Sequence, residues 1–165
     1  MSGIRTRTGK RRAGQRRTGT RVATFDESIA LHRQFADAWG LSILLTLAAG
    51  LRLQREALDE AQAAEALSLC EALDDPRGIA YGLDLHASLL AARGDAARAA
   101  RLWGAADGAL ATVGGSLVPT MRWIRAHYLP SVSAALGDTY EGLSAEGRAM
   151  PTDDAIALAR ARGAR

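Results

Sequence analysis

The hydrophobic pattern of the chain is helical from Thr24 onward. Apolar side chains recur every three or four residues, as on one face of an α-helix, and polar or small residues separate these segments. Five predicted helices cover approximately residues 27–35, 38–55, 57–73, 76–93 and 96–113. Pro76 suits the first turn of the fourth helix, and Gly94-Asp95 supplies a C-cap followed by an N-cap. The pattern therefore predicts helices joined by short turns.

The pattern changes after Gly114-Gly115. A sixth helix is predicted from about Val118, and Pro130 should kink or end it because proline removes a backbone donor and clashes with the preceding turn. A short helix from Asp138 to about residue 150 and a last helix at about 153–162 complete the chain. We therefore predict three regions, namely a disordered basic tail at 1–23, helix hairpins at 24–113 and a C-terminal helical cap at 114–165.

Two stretches of the hairpin region align at an offset of about 38 residues. Phe35–Leu41 aligns with Leu73–Ile79, Leu47–Ala49 with Leu85–Ala87, and Arg55 with Arg93. Each unit is a helix, a short turn and another helix, and each hairpin leaves an apolar face that the next one covers. The expected fold class is all-α, with antiparallel helix-hairpin repeats stacked as an α-solenoid.

The charge is divided unevenly along the chain. Residues 1–21 carry eight basic and no acidic side chains, so a net charge of +3 leaves −5 for the remainder. Residues 1–23 also carry almost no large apolar side chains, which is typical of disordered segments. Such a tail is a candidate for nucleic-acid binding. However, no aromatic side chain is interleaved with its arginines, so base stacking has no support.

Composition excludes several classes of site. Alanine and leucine are abundant and aromatic residues make up 5% of the chain, which favours helix. A single cysteine, Cys70, allows no internal disulfide and no multi-cysteine zinc site, and we interpret it as a buried, inert thiol. No apolar stretch approaches 18 residues, so no membrane helix is expected. The N-terminus lacks the apolar core of a secretory signal, and a cytoplasmic location is expected.

Candidate chemistry is sparse. The three histidines are widely spaced, and we interpret His86 as a core side chain with local hydrogen bonds. The pairs Asp74-Asp75 and Asp153-Asp154 each precede or open a helix, where the helix dipole favours negative charge. Neither a Gly-x-Ser-x-Gly elbow nor a phosphate-binding Gly-x-x-x-x-Gly-Lys-Ser/Thr loop occurs. We therefore expect no catalytic residue, no metal site, no cofactor and no enzymatic activity.

One long run of residues resembles a known family. Leu89–Asp107, with the later segments Ala135–Asp138, Ala145–Met150 and Asp153–Ala159, is similar to the last tetratricopeptide-type repeat and C-terminal end of bacterial LuxR-type and antibiotic-activator-type transcriptional regulators. The likeness covers about residues 24–160. In those regulators the signalling ATPase module and the DNA-binding helix-turn-helix lie outside the repeats. The resemblance implies a sensor or coupling fragment that binds a protein partner or docks on a missing ATPase module.

The candidate partner-binding residues are aromatic, histidine and arginine side chains of the predicted helices. They are Trp39, His86, Arg98, Arg101, Trp103 and Arg122. Core packing is the default interpretation of the two tryptophans, whereas an exposed pair on a concave face would form a peptide-binding groove flanked by the arginines. Two other hypotheses stay open, namely nucleic-acid binding through residues 1–23 and effector sensing in an apolar pocket within the solenoid.

Overall fold

Eight helices account for most of the residues that the structure describes, and no strand occurs among them. The structure, a computed structural model, describes residues 24–55, 57 and 59–161. Residues 24–34 form α1, followed by α2 (Ala38–Leu53), α3 (Glu60–Ala72), α4 (Pro76–Ala92), α5 (Ala96–Thr112), α6 (Pro119–Leu136), α7 (Thr139–Arg148) and α8 (Thr152–Arg160). The all-α prediction is confirmed, and the helix bounds lie within a few residues of the predicted ones. The predicted tail at 1–23 lies outside the described residues.

Three of the turns between helices have the same construction. In each turn the second residue after the preceding helix has a positive φ, and these residues are Ala36 (54°), Asp74 (48°) and Gly94 (83°). Each following helix begins with an aspartate whose carboxylate accepts a hydrogen bond from the first turn, and these N-caps are Asp37, Asp75 and Asp95. The N–H of each aspartate donates to the carbonyl oxygen five residues earlier at 3.0 Å. The first two turns lie 38 residues apart, so the sequence offset corresponds to a repeated turn geometry.

The repeated turn also explains two glycines. Gly78 lies in the first turn of α4, where a Cβ atom would be 2.5 Å from Asp75 Oδ2 and 2.6 Å from Cys70 Sγ. Gly40 is the equivalent residue of α2, and a Cβ there would meet Asp37 and His32 in the same way. Each glycine therefore leaves room for the capping aspartate and for the end of the preceding helix.

The central helix is α4. It contacts α2, α3, α5, α6 and α8, and every residue from 82 to 91 is buried. A helix that is buried all round differs from the single apolar stripe of a surface helix. As a consequence three polar residues of α4, Asp84, His86 and Ser88, lie in the core.

The C-terminal helices share the core of the hairpins. Met121 and Ile124 of α6 pack with Leu85 and Leu89 of α4. Ile156 of α8 belongs to the hydrophobic cluster around α4 and α5. The hydrophobic clusters therefore cross the predicted region boundary at residue 114.

Two local predictions have clear outcomes. Helix α6 runs through Pro130 to Leu136, so the helix does not end at the proline. Cys70 is buried, as predicted. Among the described residues, no helix combines the length and the apolar character needed to cross a bilayer.

Candidate functional site

A concave, mostly apolar surface lies between α2, α4 and α6. It encloses about 490 Å³ and is called the Trp39 groove below. Its α2 wall consists of Trp39, Ser42, Ile43, Thr46 and Leu47. Its opposite side consists of Cys70 from α3, Asp75, Arg77, Gly78 and Tyr81 at the start of α4, and Val118, Thr120 and Met121 at the start of α6.

The wall formed by α2 exposes large apolar side chains. Trp39, Ile43 and Leu47 follow each other at intervals of four residues, so they share one face of the helix. The Trp39 side chain is 62% exposed and Ile43 is 38% exposed. Tryptophan is enriched at the centres of protein interfaces, because its large surface gains much from burial. The wall therefore offers apolar area to a ligand.

The hydroxyl groups of the α2 wall donate their protons to backbone carbonyl oxygens within the protein. The Ser42 hydroxyl donates to the Trp39 carbonyl oxygen at 2.8 Å, and the Thr46 hydroxyl donates to the Ser42 carbonyl oxygen at 2.9 Å. Burial raises the pKa of the Cys70 thiol, which opposes formation of the nucleophilic thiolate. This part of the groove therefore suits burial of apolar groups more than capture of a polar one.

The charged and hydrogen-bonding groups lie at the rim. Asp75 Oδ1 accepts a hydrogen bond from the backbone N–H of Arg77 at 3.1 Å. Tyr81 donates its hydroxyl proton to the Ser116 carbonyl oxygen at 3.2 Å, which ties α4 to the loop before α6. The groove is thus an apolar cleft with a polar edge, which is the usual character of a ligand-binding surface.

Of the six predicted binding residues, Trp39 alone lines this groove. Trp103 is 1% exposed and lies in the core, where its Nε1–H donates to Ser88 Oγ at 3.4 Å. His86 is also buried, with Nδ1 2.8 Å from the Gly82 carbonyl oxygen, and burial lowers its pKa. Trp39 and Trp103 therefore do not form an exposed pair, and a surface partner does not reach Trp103 or His86 in this conformation.

The three predicted arginines lie elsewhere. Arg98 donates from Nη2 to the carbonyl oxygens of Leu158 at 2.7 Å and Ala161 at 2.5 Å, where it caps the end of α8. Arg101 pairs with Glu146 of α7 at 2.9 Å. Arg122 is exposed on α6 and lines a second, shallower cavity between α5 and α6. The arginines do not flank the Trp39 groove.

A charge cluster joins α4, α5 and α6, and its Asp84 side chain is fully buried whereas that of Asp107 is 37% exposed. Arg125 of α6 donates from Nε to Asp84 Oδ1 at 2.6 Å and from Nη1 to Asp107 Oδ1 at 2.7 Å. Its guanidinium carbon also lies 5.9 Å from the ring centroid of Trp103. Burial raises the pKa of Asp84 to about 6, although the attraction of Arg125 lowers it, and the negative charge of Asp107 adds to the increase. No local signal in the sequence indicates this cluster, because Asp84 lies within an apolar helix without a nearby basic residue.

The groove itself was not predictable from the sequence. The apolar pattern of residues 38–55 predicted a helix packed against its neighbours, and it did not indicate that Trp39 and Ile43 are exposed. No local signal could show that Tyr81 and Met121 complete the cleft, since these contacts join distant parts of the chain.

The described residues do not form a metal site, because no three of their histidine, cysteine, aspartate or glutamate side chains are grouped as metal ligands. Comparison with protein-family models, curated protein sequences and solved structures found no match.

Proposed function

We propose that this chain is a non-catalytic interaction module that binds an apolar segment of a partner protein in the Trp39 groove. The observation that carries this proposal is the exposed Trp39 side chain at the edge of an apolar cleft of about 490 Å³. Large apolar side chains that remain exposed beside a cavity mark interaction surfaces. The binding free energy would come from burial of apolar surface and from shape complementarity.

The arrangement of the helices supports a tetratricopeptide-like scaffold. The turns before α2 and α4 have the same geometry, and α2, α4 and α6 contact one another along the groove. A repeat scaffold uses such a shared face of successive helices to bind an extended or helical peptide. The family resemblance adds the more specific proposal that the module couples a partner, or an ATPase module, to a bacterial transcriptional regulator in the cytoplasm.

A small-molecule effector is the second candidate, because the groove volume lies in the range of ligand pockets, roughly 300–1,000 Å³. Recognition of a small effector needs a few polar groups aimed into the pocket. In this groove the Ser42 and Thr46 hydroxyl protons are donated to backbone carbonyls. Because these protons are not available to a ligand, the groove favours a peptide with large apolar side chains. Nucleic-acid binding would depend on residues 1–23, and the groove gives it no support.

The proposal is tested first with the neutral apolar dye Nile red, whose fluorescence rises when it is buried. Trp39→Ala should weaken dye binding by about tenfold, which corresponds to the loss of about 1.4 kcal/mol of apolar contact. Ile43→Glu should abolish binding because it places a charge in the wall. Trp123→Ala is the matched control, since Trp123 is 55% exposed on α6 but does not line the groove. Equal binding by wild type and both groove variants contradicts the proposal.

A displayed random peptide library then separates the two candidates. Wild type should select peptides with large apolar anchors that Ile43→Glu does not bind and that Nile red displaces. If the dye binds the groove but no peptide is selected, the small-molecule candidate replaces the peptide candidate.

A further inference from the structure

The rim of the Trp39 groove carries a positive charge that no other described residue pairs with. The charged residues that line the groove are Asp75 and Arg77. Arg77 is exposed in the first turn of α4, and its guanidinium has no ion-pair partner among the residues that the structure describes. A guanidinium pairs well with a carboxylate, because its N–H groups can donate two parallel hydrogen bonds to the two oxygens. The groove therefore presents an available cation beside its apolar walls.

The carboxylate of Asp75 is used by the helix that follows it. Asp75 is the N-cap of α4, and its Oδ1 accepts a hydrogen bond from the backbone N–H of Arg77 at 3.1 Å. A carboxylate in this position is stabilised by the unpaired N–H groups and the dipole of the helix. The negative charge of Asp75 therefore acts mainly on the start of α4, and the Arg77 side chain remains free to bind a ligand.

Trp39 and Arg77 occupy the same position in the two repeated units. Each is the second residue of its helix and follows the capping aspartate by two residues, and the two positions are 38 residues apart. Helices α2 and α4 contact each other, and both residues line the groove. One ligand in the groove can therefore contact an apolar ring on α2 and a cation on α4.

The basic N-terminal segment of the chain does not fit this groove. Residues 1–21 carry eight basic and no acidic side chains, and residues 1–23 carry almost no large apolar ones. Arg77 would repel such a segment, and the apolar wall beside it would gain little contact. The ligand that fits has the opposite character, because it needs apolar side chains for the wall and a negative charge for the rim.

We propose that the occupant of the Trp39 groove is a segment of a partner protein in which an acidic side chain lies next to large apolar anchors. The anchors are buried against Trp39 and Ile43, and the carboxylate pairs with Arg77 at the rim. An exposed pair of this kind adds little affinity, but it selects between partners of opposite charge. The inference rests on the proposed function of the groove and adds the charge of the partner.

Two dyes of different charge separate the rim from the apolar wall. Nile red is neutral, whereas anilinonaphthalene sulfonate is an apolar anion, and both fluoresce more strongly when they are buried. Arg77→Gln should weaken binding of the anionic dye about threefold, because it removes one exposed charge, and should leave Nile red binding unchanged. High salt should reduce the difference between wild type and R77Q. Arg122→Gln is the matched control, since Arg122 is also exposed but lines the second cavity.

The two dyes also distinguish failure of this inference from failure of the proposed function. If Trp39→Ala weakens Nile red binding but R77Q binds the anionic dye as wild type does, the groove stands and the acidic partner is wrong. If Trp39→Ala leaves Nile red binding unchanged, the proposed function is wrong and the inference fails with it.

Peptide selection with a reversed charge tests the partner itself. From a displayed random library, wild type should select peptides with aspartate or glutamate beside the apolar anchors, and Arg77→Glu should select lysine or arginine there instead. Peptides selected by wild type should bind R77E about tenfold more weakly, because like charges then meet at the rim. Equal enrichment of acidic residues by both proteins, or no selected peptide, overturns the inference. A wild-type dimer in light scattering that R77E does not form would make a second copy the occupant and would also overturn it.

Discussion

The backbone of Gly147 in α7 lies directly against the carbonyl oxygen of Arg101 in α5. A Cβ atom at Gly147 would collide with that oxygen. On α5, Gly104 faces the Ser144 carbonyl oxygen in the same way, and a Cβ at Gly108 would lie 2.6 Å from the Arg148 carbonyl oxygen. The two helices therefore pack backbone to backbone, and a side chain added at any of these three glycines would force them apart.

Gly147→Ala should accordingly lower the free energy of unfolding by about 3 kcal/mol, because the helices must separate to accept the methyl group. Gly142→Ala on the same helix is the control, since nothing lies within 4 Å of its Cβ position. This control should raise stability by about 0.5–1 kcal/mol through helix propensity. Urea denaturation measures both, and equal stability of the two variants would show that α5 and α7 do not pack this closely.

The turn geometry gives a second pair of opposite effects. Ala36 has φ of 54°, where an L-residue is strained, whereas Gly94 has φ of 83° in the equivalent turn. Ala36→Gly should raise the free energy of unfolding by about 1 kcal/mol, and Gly94→Ala should lower it by a similar amount. No atom lies within 4 Å of the position that a Cβ at residue 94 would take, so the stability lost in Gly94→Ala would report backbone strain alone. If the melting temperature changes in the same direction in both variants, the two turns are not equivalent.

The tryptophans of α2 and α5 should behave differently. Trp103→Ala removes a buried side chain and should cost about 3–5 kcal/mol of unfolding free energy. Trp39→Ala should change stability by no more than about 0.5 kcal/mol, as for an exposed position. Chemical denaturation of the two variants distinguishes a core residue from an exposed one. Comparable losses would place Trp39 in the core.

The pH dependence of stability has a definite sign at Asp84. Its pKa is raised from 3.8 to about 6 in the folded protein, so the folded state binds this proton more tightly than the unfolded state. The protonated Asp84 carboxyl therefore stabilises the folded state, and this contribution is fully present below pH 3.8 and is lost as the pH rises through about 6. The unfolding free energy of D84N minus that of wild type should therefore increase from pH 4 to pH 7. A difference that stays constant across this range would show that Asp84 titrates normally.

The local part of the fold was predictable from the sequence, because caps and turn residues act on their own neighbours. Asp75-Pro76 and Gly94-Asp95 located two helix starts closely. The glycines of α5 and α7 were not interpretable in this way, since a glycine within a helix reports only lower propensity until its partner helix is known. Likewise, Trp39 was a candidate only as a tryptophan on a predicted repeat helix, with core packing as its default interpretation. Met121 joins the groove through contacts between distant segments, which no local signal predicts.

The most direct test of the proposed binding groove uses the indole N–H signals of the three tryptophans, recorded by NMR on ¹⁵N-labelled protein during titration with Nile red. Trp39→Phe and Trp123→Phe assign the signals of the two exposed rings. If the Trp39 groove is the binding site, the Trp39 indole signal moves with saturation while the Trp123 signal stays in place. Saturable binding that moves the Trp123 signal and leaves Trp39 unchanged would contradict the account.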